Sequence, residues 1–210
     1  MRTRVKICGF TQVDDALEAA YLGVDAIGLV FYPPSPRYVS IETAAKIAKA
    51  LPAFVSVVAL FVDADKAFIE QVLQQVPIDC LQFHGDEQPE ECRSFNKPYI
   101  KAVRMKPETN VTELVRDFHD TSALLLDAYH PNLQGGSGSG FDWDLIPQNC
   151  KLPIILAGGL APDNAEQAVR QVKPYALDVS SGVEAGKGIK DAAKMAAFIR
   201  ITNQATENYD

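Results

Sequence analysis

The chain has 210 residues, of which 47% are hydrophobic and 22% are charged, and its net charge is −7. This is the composition of an ordinary soluble globular protein, long enough to bury a core without disulfide or metal staples. The acidic balance argues against a nucleic-acid partner or an anionic membrane surface, because both attract basic faces. No apolar stretch reaches the roughly 18 residues of a membrane span, so we expect a cytoplasmic protein.

Eight short apolar runs, rich in residues that favour strands, recur along the chain. They occupy residues 5–9, 26–31, 54–62, 80–85, 99–105, 123–128, 153–159 and 176–182. Most are continuous rather than alternating in apolar residues, which is typical of strands covered on both faces. Helical patterns, with apolar residues three and four apart, lie between them. The weakest of these patterns are residues 87–95 and 142–147.

Strict alternation of strands and helices predicts parallel strands, and eight such units predict a closed (β/α)8 TIM barrel of the α/β class. An open doubly wound sheet is disfavoured, because it would carry a glycine-rich turn after its first strand. In this chain the glycine-rich turns follow the last two strands. The eight units account for nearly all of the length, so we predict one domain over residues 1–210, with a polar, frayed tail from about Asn203.

Polar residues at the carboxyl ends of the strands are the candidates for chemistry in such a barrel. Cys8 closes the first strand. An isolated cysteine is more often a small buried hydrophobe, and the alternative is a thiolate base or nucleophile helped by Lys6. The other three cysteines are interpreted as structural. Cys80 opens a strand at the wrong end for catalysis, Cys92 lies on a predicted helix, and Cys150 precedes a strand. No two cysteines have the short spacing of a zinc knuckle, so we predict no metal site.

Three further strand ends carry polar side chains. Asp127 follows three leucines, where a carboxyl group is costly unless it caps backbone amides or serves as a general acid. Arg37 stands in a proline-rich loop after the second strand. Its guanidinium suits a carboxylate or phosphate group of a ligand, and the alternative is a solvent-exposed surface arginine. His84 closes the fourth strand, as a ligand contact or as a hydrogen-bonded core histidine. The long loop over residues 129–140 is either a flexible linker or a mobile lid.

Glycine-rich turns after the last two strands predict an anion site. Gly158 and Gly159 follow strand seven, while Ser180, Ser181 and Gly182 follow strand eight. Glycines allow backbone N–H groups to approach an anion closely. Loops at these two positions form the recurrent phosphate site of (β/α)8 barrels. We therefore predict that these residues bind a phosphate group.

Seven motifs stand in order at the strand ends and in the loop after strand six. They are Lys6-Ile7-Cys8-Gly9, Ser35-Pro36-Arg37, Gln82-Phe83-His84-Gly85, Leu126-Asp127, Phe141-Asp142-Trp143, Ala157-Gly158-Gly159-Leu160 and Asp178-Val179-Ser180-Ser181-Gly182-Val183-Glu184. Together they resemble the phosphoribosylanthranilate isomerase family over residues 5 to about 198. One departure is Ser137, where the family's glycine-rich loop more usually has threonine, and the hydroxyl group is kept.

The resemblance implies the Amadori rearrangement of N-(5-phosphoribosyl)anthranilate to 1-(2-carboxyphenylamino)-1-deoxyribulose 5-phosphate, in tryptophan biosynthesis. It implies that Cys8 matches the family's general base, Asp127 its general acid and Arg37 its contact to the anthranilate carboxylate. The implied partner is a phosphorylated small molecule, with no cofactor and no metal. Monomer and homodimer both stay open.

Two other functions stay open on the sequence. An indole-glycerol-phosphate synthase or a sugar-phosphate epimerase shares such a phosphate site. The synthase needs a lysine acid at a strand end, and Lys101 in strand five is the candidate. A phosphometabolite-binding or thiol redox protein is the non-catalytic alternative. Redox function predicts a resolving partner for Cys8, and none is adjacent in sequence.

Overall fold

A computed structural model of the chain describes residues 2–106, 108–127, 143, 146–147 and 150–207. Eight parallel strands close into a barrel, in which each strand pairs with the next and the last pairs with the first. They are β1 Arg4–Cys8, β2 Ala26–Val30, β3 Ser56–Phe61, β4 Cys80–Phe83, β5 Tyr99–Arg104, β6 Ala123–Asp127, β7 Ile154–Ala157 and β8 Ala176–Val179. The predicted (β/α)8 barrel is confirmed.

Seven α-helices lie within the described residues. They are α1 Val13–Tyr21, α2 Ile41–Ala50, α3 Lys66–Gln75, α4 Pro89–Cys92, α5 Val111–Asp117, α6 Ala165–Val172 and α7 Ala192–Glu207. None of these helices is long and apolar enough to cross a membrane. The predicted lid, residues 129–140, lies outside the described residues, as do residues 142, 144 and 145 of the predicted short helix over residues 142–147.

The apolar runs of the strands divide between two buried layers. In β6, Leu124 and Leu126 belong to the large cluster that also contains the buried faces of the helices. Leu125 belongs instead to a second cluster made of strand residues, which packs inside the barrel. All three leucines are fully buried. Side chains of a strand point alternately to its two faces, so a strand covered on both sides needs a continuous apolar run.

The carboxyl terminus differs from the sequence prediction. A frayed tail was expected from about Asn203, but α7 continues to Glu207. Ala205 is buried in the main core, and the hydroxyl of Thr206 accepts a hydrogen bond from the backbone N–H of Thr3 at 3.3 Å. The contact with Thr3, the residue before β1, stabilises the last turns of the helix, and it is not visible in the local polarity of the sequence.

A short hairpin after β8 is also absent from the sequence prediction. Strand β9, Glu184–Gly186, pairs antiparallel with β10, Ile189–Lys190. The hairpin lies between a 3-10 turn at Ser181–Val183 and the start of α7. It brings two buried charged side chains, Glu184 and Lys190, to the carboxyl end of the barrel.

Candidate active site

A cavity of about 450 Å³ opens at the carboxyl ends of the barrel strands. Residues from all eight strands or the loops that follow them line it. Eight of the nine predicted site residues are among them: Cys8, Arg37, His84, Asp127, Gly158, Gly159, Ser180 and Ser181. The ninth, Gly182, is not in the lining. The carboxyl ends of six different strands, with the loops that follow them, therefore bring the predicted residues together in one concave site.

Cys8 is the last residue of β1 and is almost fully buried. The neighbouring strand leaves room for its thiol, because a Cβ atom on Gly28 would lie 2.6 Å from Cys8 Sγ. Burial raises the pKa of the Cys8 thiol above its usual value, and the nearby ammonium groups of Lys6 and Lys190 act against this rise. Lys6 is itself held by Asp178, whose two carboxylate oxygens each lie 2.9 Å from Lys6 Nζ.

Asp127 is the last residue of β6, and its carboxyl group is held by a short chain of hydrogen bonds. His84 Nε2 lies 3.1 Å from Asp127 Oδ2, and Gln82 Nε2 lies 3.0 Å from His84 Nδ1. With the amide nitrogen of Gln82 donating to Nδ1, the imidazole carries its proton on Nε2 and donates it to Asp127. Gln82 is fully buried. It therefore sets the tautomer of the histidine that orients the carboxyl group.

Arg37 lines the cavity but already has a carboxylate partner. Its Nε and Nη2 atoms lie 2.7 Å from Glu184 Oε1 and Oε2 respectively, in a bidentate pair. The hydrogen bond to Glu184 raises the pKa of Arg37. Burial opposes ionisation of Glu184, but the hydrogen bonds from Arg37 and Lys190 lower its pKa overall. A guanidinium has more N–H groups than one carboxylate accepts from, so its outer edge can still bind a second one.

The loop after β7 contains two consecutive residues with left-handed backbone, Gly158 at φ 86° and Gly159 at φ 64°. Only glycine adopts such φ values without strain. Asn164 holds this loop, accepting a hydrogen bond from the backbone N–H of Ala161 at 2.9 Å and donating to the carbonyl of Gly159 at 3.0 Å. The loop thus presents backbone rather than side chains to the cavity.

The loop after β8 places its three predicted residues differently. Ser181 lines the cavity. Ser180 also lines it, but its hydroxyl donates a hydrogen bond to the carbonyl of Cys8 at 3.0 Å. Gly182 lies against the β7 loop instead, where any Cβ atom would overlap the carbonyl oxygen of Leu160. The absence of a side chain at Gly182 allows the two glycine-rich loops to touch.

Similarity to known proteins covers nearly the whole chain. The family model described as N-(5'phosphoribosyl)anthranilate (PRA) isomerase matches residues 5–201. The chain belongs to this isomerase family. The N-(5'-phosphoribosyl)anthranilate isomerase of Nitrosococcus oceani is 58% identical over 200 residues, which are 95% of this chain and 97% of that relative.

Two solved structures of PRA isomerases have the same fold. The phosphoribosyl anthranilate isomerase of Thermotoga maritima superposes with a TM-score of 0.89 at 39% identity, covering 96% of this chain and 99% of that one. A second isomerase structure contains reduced 1-(o-carboxyphenylamino)-1-deoxyribulose 5-phosphate. It superposes with a TM-score of 0.82 at 36% identity, over 96% of this chain and 99% of that one.

Sequence reasoning missed several residues of this PRA isomerase site. Arg104 ends β5 and lines the cavity. A search for polar residues at the carboxyl ends of all eight strands would have identified it. Gln82 and Glu184 stand inside recognised motifs, but their roles depend on partners that the sequence does not show. Lys190 follows the last predicted strand, and no motif or strand end in the sequence indicated that it belongs to the site. Among the described residues, no group of three or more His, Cys, Asp or Glu is placed to hold a metal ion.

Proposed function

We propose that the chain isomerises N-(5'-phosphoribosyl)anthranilate with Cys8 as the general base and Asp127 as the general acid. The isomerase activity, and its place in tryptophan biosynthesis, are those of the family to which the chain belongs. One observation supports the assignment of the two residues. Cys8 and Asp127 end strands β1 and β6, and they line the same cavity.

The first step opens the ribofuranose ring. Asp127 in its protonated form gives its proton to the ring oxygen as the bond from that oxygen to C1' breaks. The lone pair of the anthranilate nitrogen forms the C1'–N double bond, so the product is an iminium ion. The hydrogen bond from His84 holds Asp127 Oδ2 at 3.1 Å and orients the carboxyl group toward the cavity. His84 is also our proposed contact to the substrate, since it lines the same space.

The second step removes a proton from C2'. The iminium ion makes this carbon acidic, and the thiolate of Cys8 takes the proton. The electron pair of the C2'–H bond forms the C1'–C2' double bond, and the nitrogen regains its lone pair. The enolamine then tautomerises to the ketone of 1-(2-carboxyphenylamino)-1-deoxyribulose 5-phosphate.

The two anionic ends of the substrate require two binding regions. We assign the anthranilate carboxylate to the outer edge of the Arg37 guanidinium, because Glu184 occupies its Nε side. We assign the phosphate to the loops containing Gly158, Gly159 and Ser181. Holding the substrate at both ends positions its reacting carbons between acid and base. Ser180 and Gly182 support the phosphate loops through their contacts with Cys8 and Leu160.

The direct test measures the loss of substrate fluorescence as the anthranilate adduct is converted. The same assay with the deoxyribulose phosphate product as substrate tests for synthase activity. We expect none, because Lys101 Nζ is held by Glu87 at 2.7 Å and by the carbonyl of Gly85 at 2.8 Å, and it does not line the cavity. Turnover of the product to an indole would contradict the proposal.

Replacing Arg37 with alanine is expected to raise KM about 10- to 100-fold with a smaller effect on kcat, because the lost contact binds the substrate in every state. Steady-state kinetics measure the split. Arg37→Lys is the matched variant, since it keeps the charge but loses the planar fork. An unchanged KM in Arg37→Ala would assign the carboxylate to another residue.

Replacing Gly182 with alanine is expected to lower kcat/KM on the order of 10- to 100-fold, because the new Cβ pushes the two phosphate loops apart. Gly186→Ala is the control: Gly186 has open space around its Cβ position and no left-handed φ. Equal activity of the two variants would show that the contact between the loops is unimportant for binding.

We further propose that residues 1–210 form one catalytic domain, which acts in the cytoplasm on a phosphorylated small molecule and without a nucleic-acid partner. The described strands and helices lie between residues 4 and 207 and belong to one closed barrel, which supports the proposal of one domain. Sedimentation velocity of the purified chain distinguishes the monomer from the homodimer.

A further inference from the structure

Five charged side chains form a buried or half-buried cluster behind Cys8, and the proposed mechanism uses only one of them. They are Lys6, Arg37, Asp178, Glu184 and Lys190. All except Arg37 are less than 9% exposed. Three of the five are cations and two are carboxylates, so the cluster carries one positive charge in excess. Buried charge without a counter-charge is costly.

The pairing within the cluster shows which cation lacks its own carboxylate. Lys6 has a carboxylate of its own, Asp178, with both carboxylate oxygens 2.9 Å from the ammonium nitrogen. Arg37 occupies both oxygens of Glu184. Lys190 only shares Glu184 Oε1, at 2.9 Å. The excess positive charge therefore belongs mainly to Lys190.

Lys190 is fixed directly to the backbone of Cys8. Its Nζ atom donates to the carbonyl of Cys8 at 2.6 Å and to the carbonyl of Ser180 at 3.2 Å, in addition to Glu184. All three partners are acceptors, and only a protonated amine has three N–H groups to donate. The side chain is completely buried, and the backbone N–H of Lys190 is anchored on Asp15 at 2.8 Å.

We propose that Lys190 is a positioning residue for Cys8, whose buried ammonium group holds the end of β1 and supplies the positive charge that stabilises the Cys8 thiolate. This inference rests on the proposed role of Cys8 as the general base. The thiolate would neutralise the charged cluster, and the proton taken from C2' would restore its excess charge. Lys190 does not line the cavity, so it acts through Cys8 and not on the substrate.

The charged groups around the thiol determine the direction in which each substitution should shift the pKa of Cys8. Those facing it from the elements packed around it are Lys6 on β1, Arg37 after β2, Asp178 on β8, Glu184 on β9 and Lys190 on β10, with His84 and Asp127 across the cavity. Burial and the charge of Asp178 raise the pKa of Cys8, whereas Lys6 and, to a smaller extent, Lys190 act to lower it. Removing the positive charge must therefore raise this pKa further, and removing the Glu184 charge must lower it.

The test is the pH dependence of Cys8 alkylation by iodoacetamide, resolved by mass spectrometry of the peptide that contains Cys8. Burial raises the pKa of Cys80 to about 11 and that of Cys92 to about 12, so neither competes near neutral pH. Lys190→Gln keeps N–H donors but removes the charge, Lys190→Met removes both, and Glu184→Gln changes the charge in the opposite direction. Circular dichroism and thermal melting confirm that each variant is folded.

We expect Lys190→Gln to move the alkylation midpoint up by about one pH unit, which is about tenfold less thiolate at a given pH. Glu184→Gln is expected to move it down. The acidic limb of the kcat/KM profile should shift with the midpoint in each variant. A purely structural role predicts the opposite sign for Lys190→Gln, because a loosened site exposes the thiol and reduces the burial effect.

An unchanged or lowered midpoint in folded Lys190→Gln overturns the inference, as does a shift of both variants in the same direction. If Lys190→Gln does not fold, the midpoints of Lys190→Met and Glu184→Gln decide in the same way. Alkylation does not depend on turnover, so the two proposals fail separately. Full activity of Cys8→Ala would remove Cys8 as the base and leave the alkylation result standing.

Discussion

Replacing Cys8 with alanine is expected to lower kcat on the order of 10²- to 10⁴-fold while changing KM little, because general base catalysis contributes about that factor to the chemical step. The iminium ion still forms in the variant, but the C2' proton loses the thiolate that accepts it in the wild type. Cys8→Ser provides the sharper version. A hydroxyl fills nearly the same volume, but it ionises too weakly to replace a thiolate.

Cys80→Ala is the matched control for this experiment. Cys80 opens β4 at the amino end of the barrel, where it packs beside the inner cluster and does not line the cavity. Its replacement is expected to cost some stability and to leave kcat near the wild-type value. Progress curves of substrate fluorescence measure all three variants. Wild-type turnover by Cys8→Ala would assign the base to a different group.

Replacing Asp127 with asparagine is expected to reduce kcat by about 10²- to 10⁴-fold, because the amide has no acidic proton to give to the ring oxygen. Asparagine has the same shape, and its carbonyl oxygen can still accept the hydrogen bond from His84 Nε2. The site should therefore keep its geometry and bind the substrate with a similar KM. A loss of binding with normal kcat would indicate a structural role for the carboxyl group.

Asp117→Asn is the surface control for this carboxylate, since Asp117 lies half-exposed at the end of α5, beside Arg116. Its activity is expected to match that of the wild type. The comparison is most informative in single-turnover experiments, which separate ring opening from product release. If Asp127→Asn forms product at the normal single-turnover rate, Asp127 is not the general acid.

The architecture was predictable because its signals are local. Each strand of the structure overlaps an apolar run recognised in the sequence, and the observed ends differ by only a few residues. The three leucines of β6 are an example. A strand buried on both faces has no alternation of apolar and polar residues, so its continuous apolar run can be recognised from the sequence. The order of the barrel then follows, since consecutive parallel strands joined by helices pair as neighbours.

The site was predictable to the extent that it depends on position along a strand. Cys8 and Asp127 were identified at the carboxyl ends of their predicted strands, and both line the cavity. The role of Gly182 was not predictable from composition. A glycine after β8 suits a phosphate loop, but its contact with the carbonyl of Leu160 depends on how close two loops come in space.

The fold class and the candidate acid and base were determined by the order of residues along the chain, because hydrophobic period and strand ends are properties of short segments. The charge pairing was decided only by the tertiary structure. Arg37 meets Glu184 across 147 positions and Lys6 meets Asp178 across 172, because closure of the barrel brings β1 and the loop after β2 beside β8 and β9. Closure of the barrel also buries Lys190 of the short strand β10 against the carbonyl of Cys8. The interaction energy of such charge pairs is larger in the interior, where the effective dielectric constant is low, and burial is a property of the whole fold.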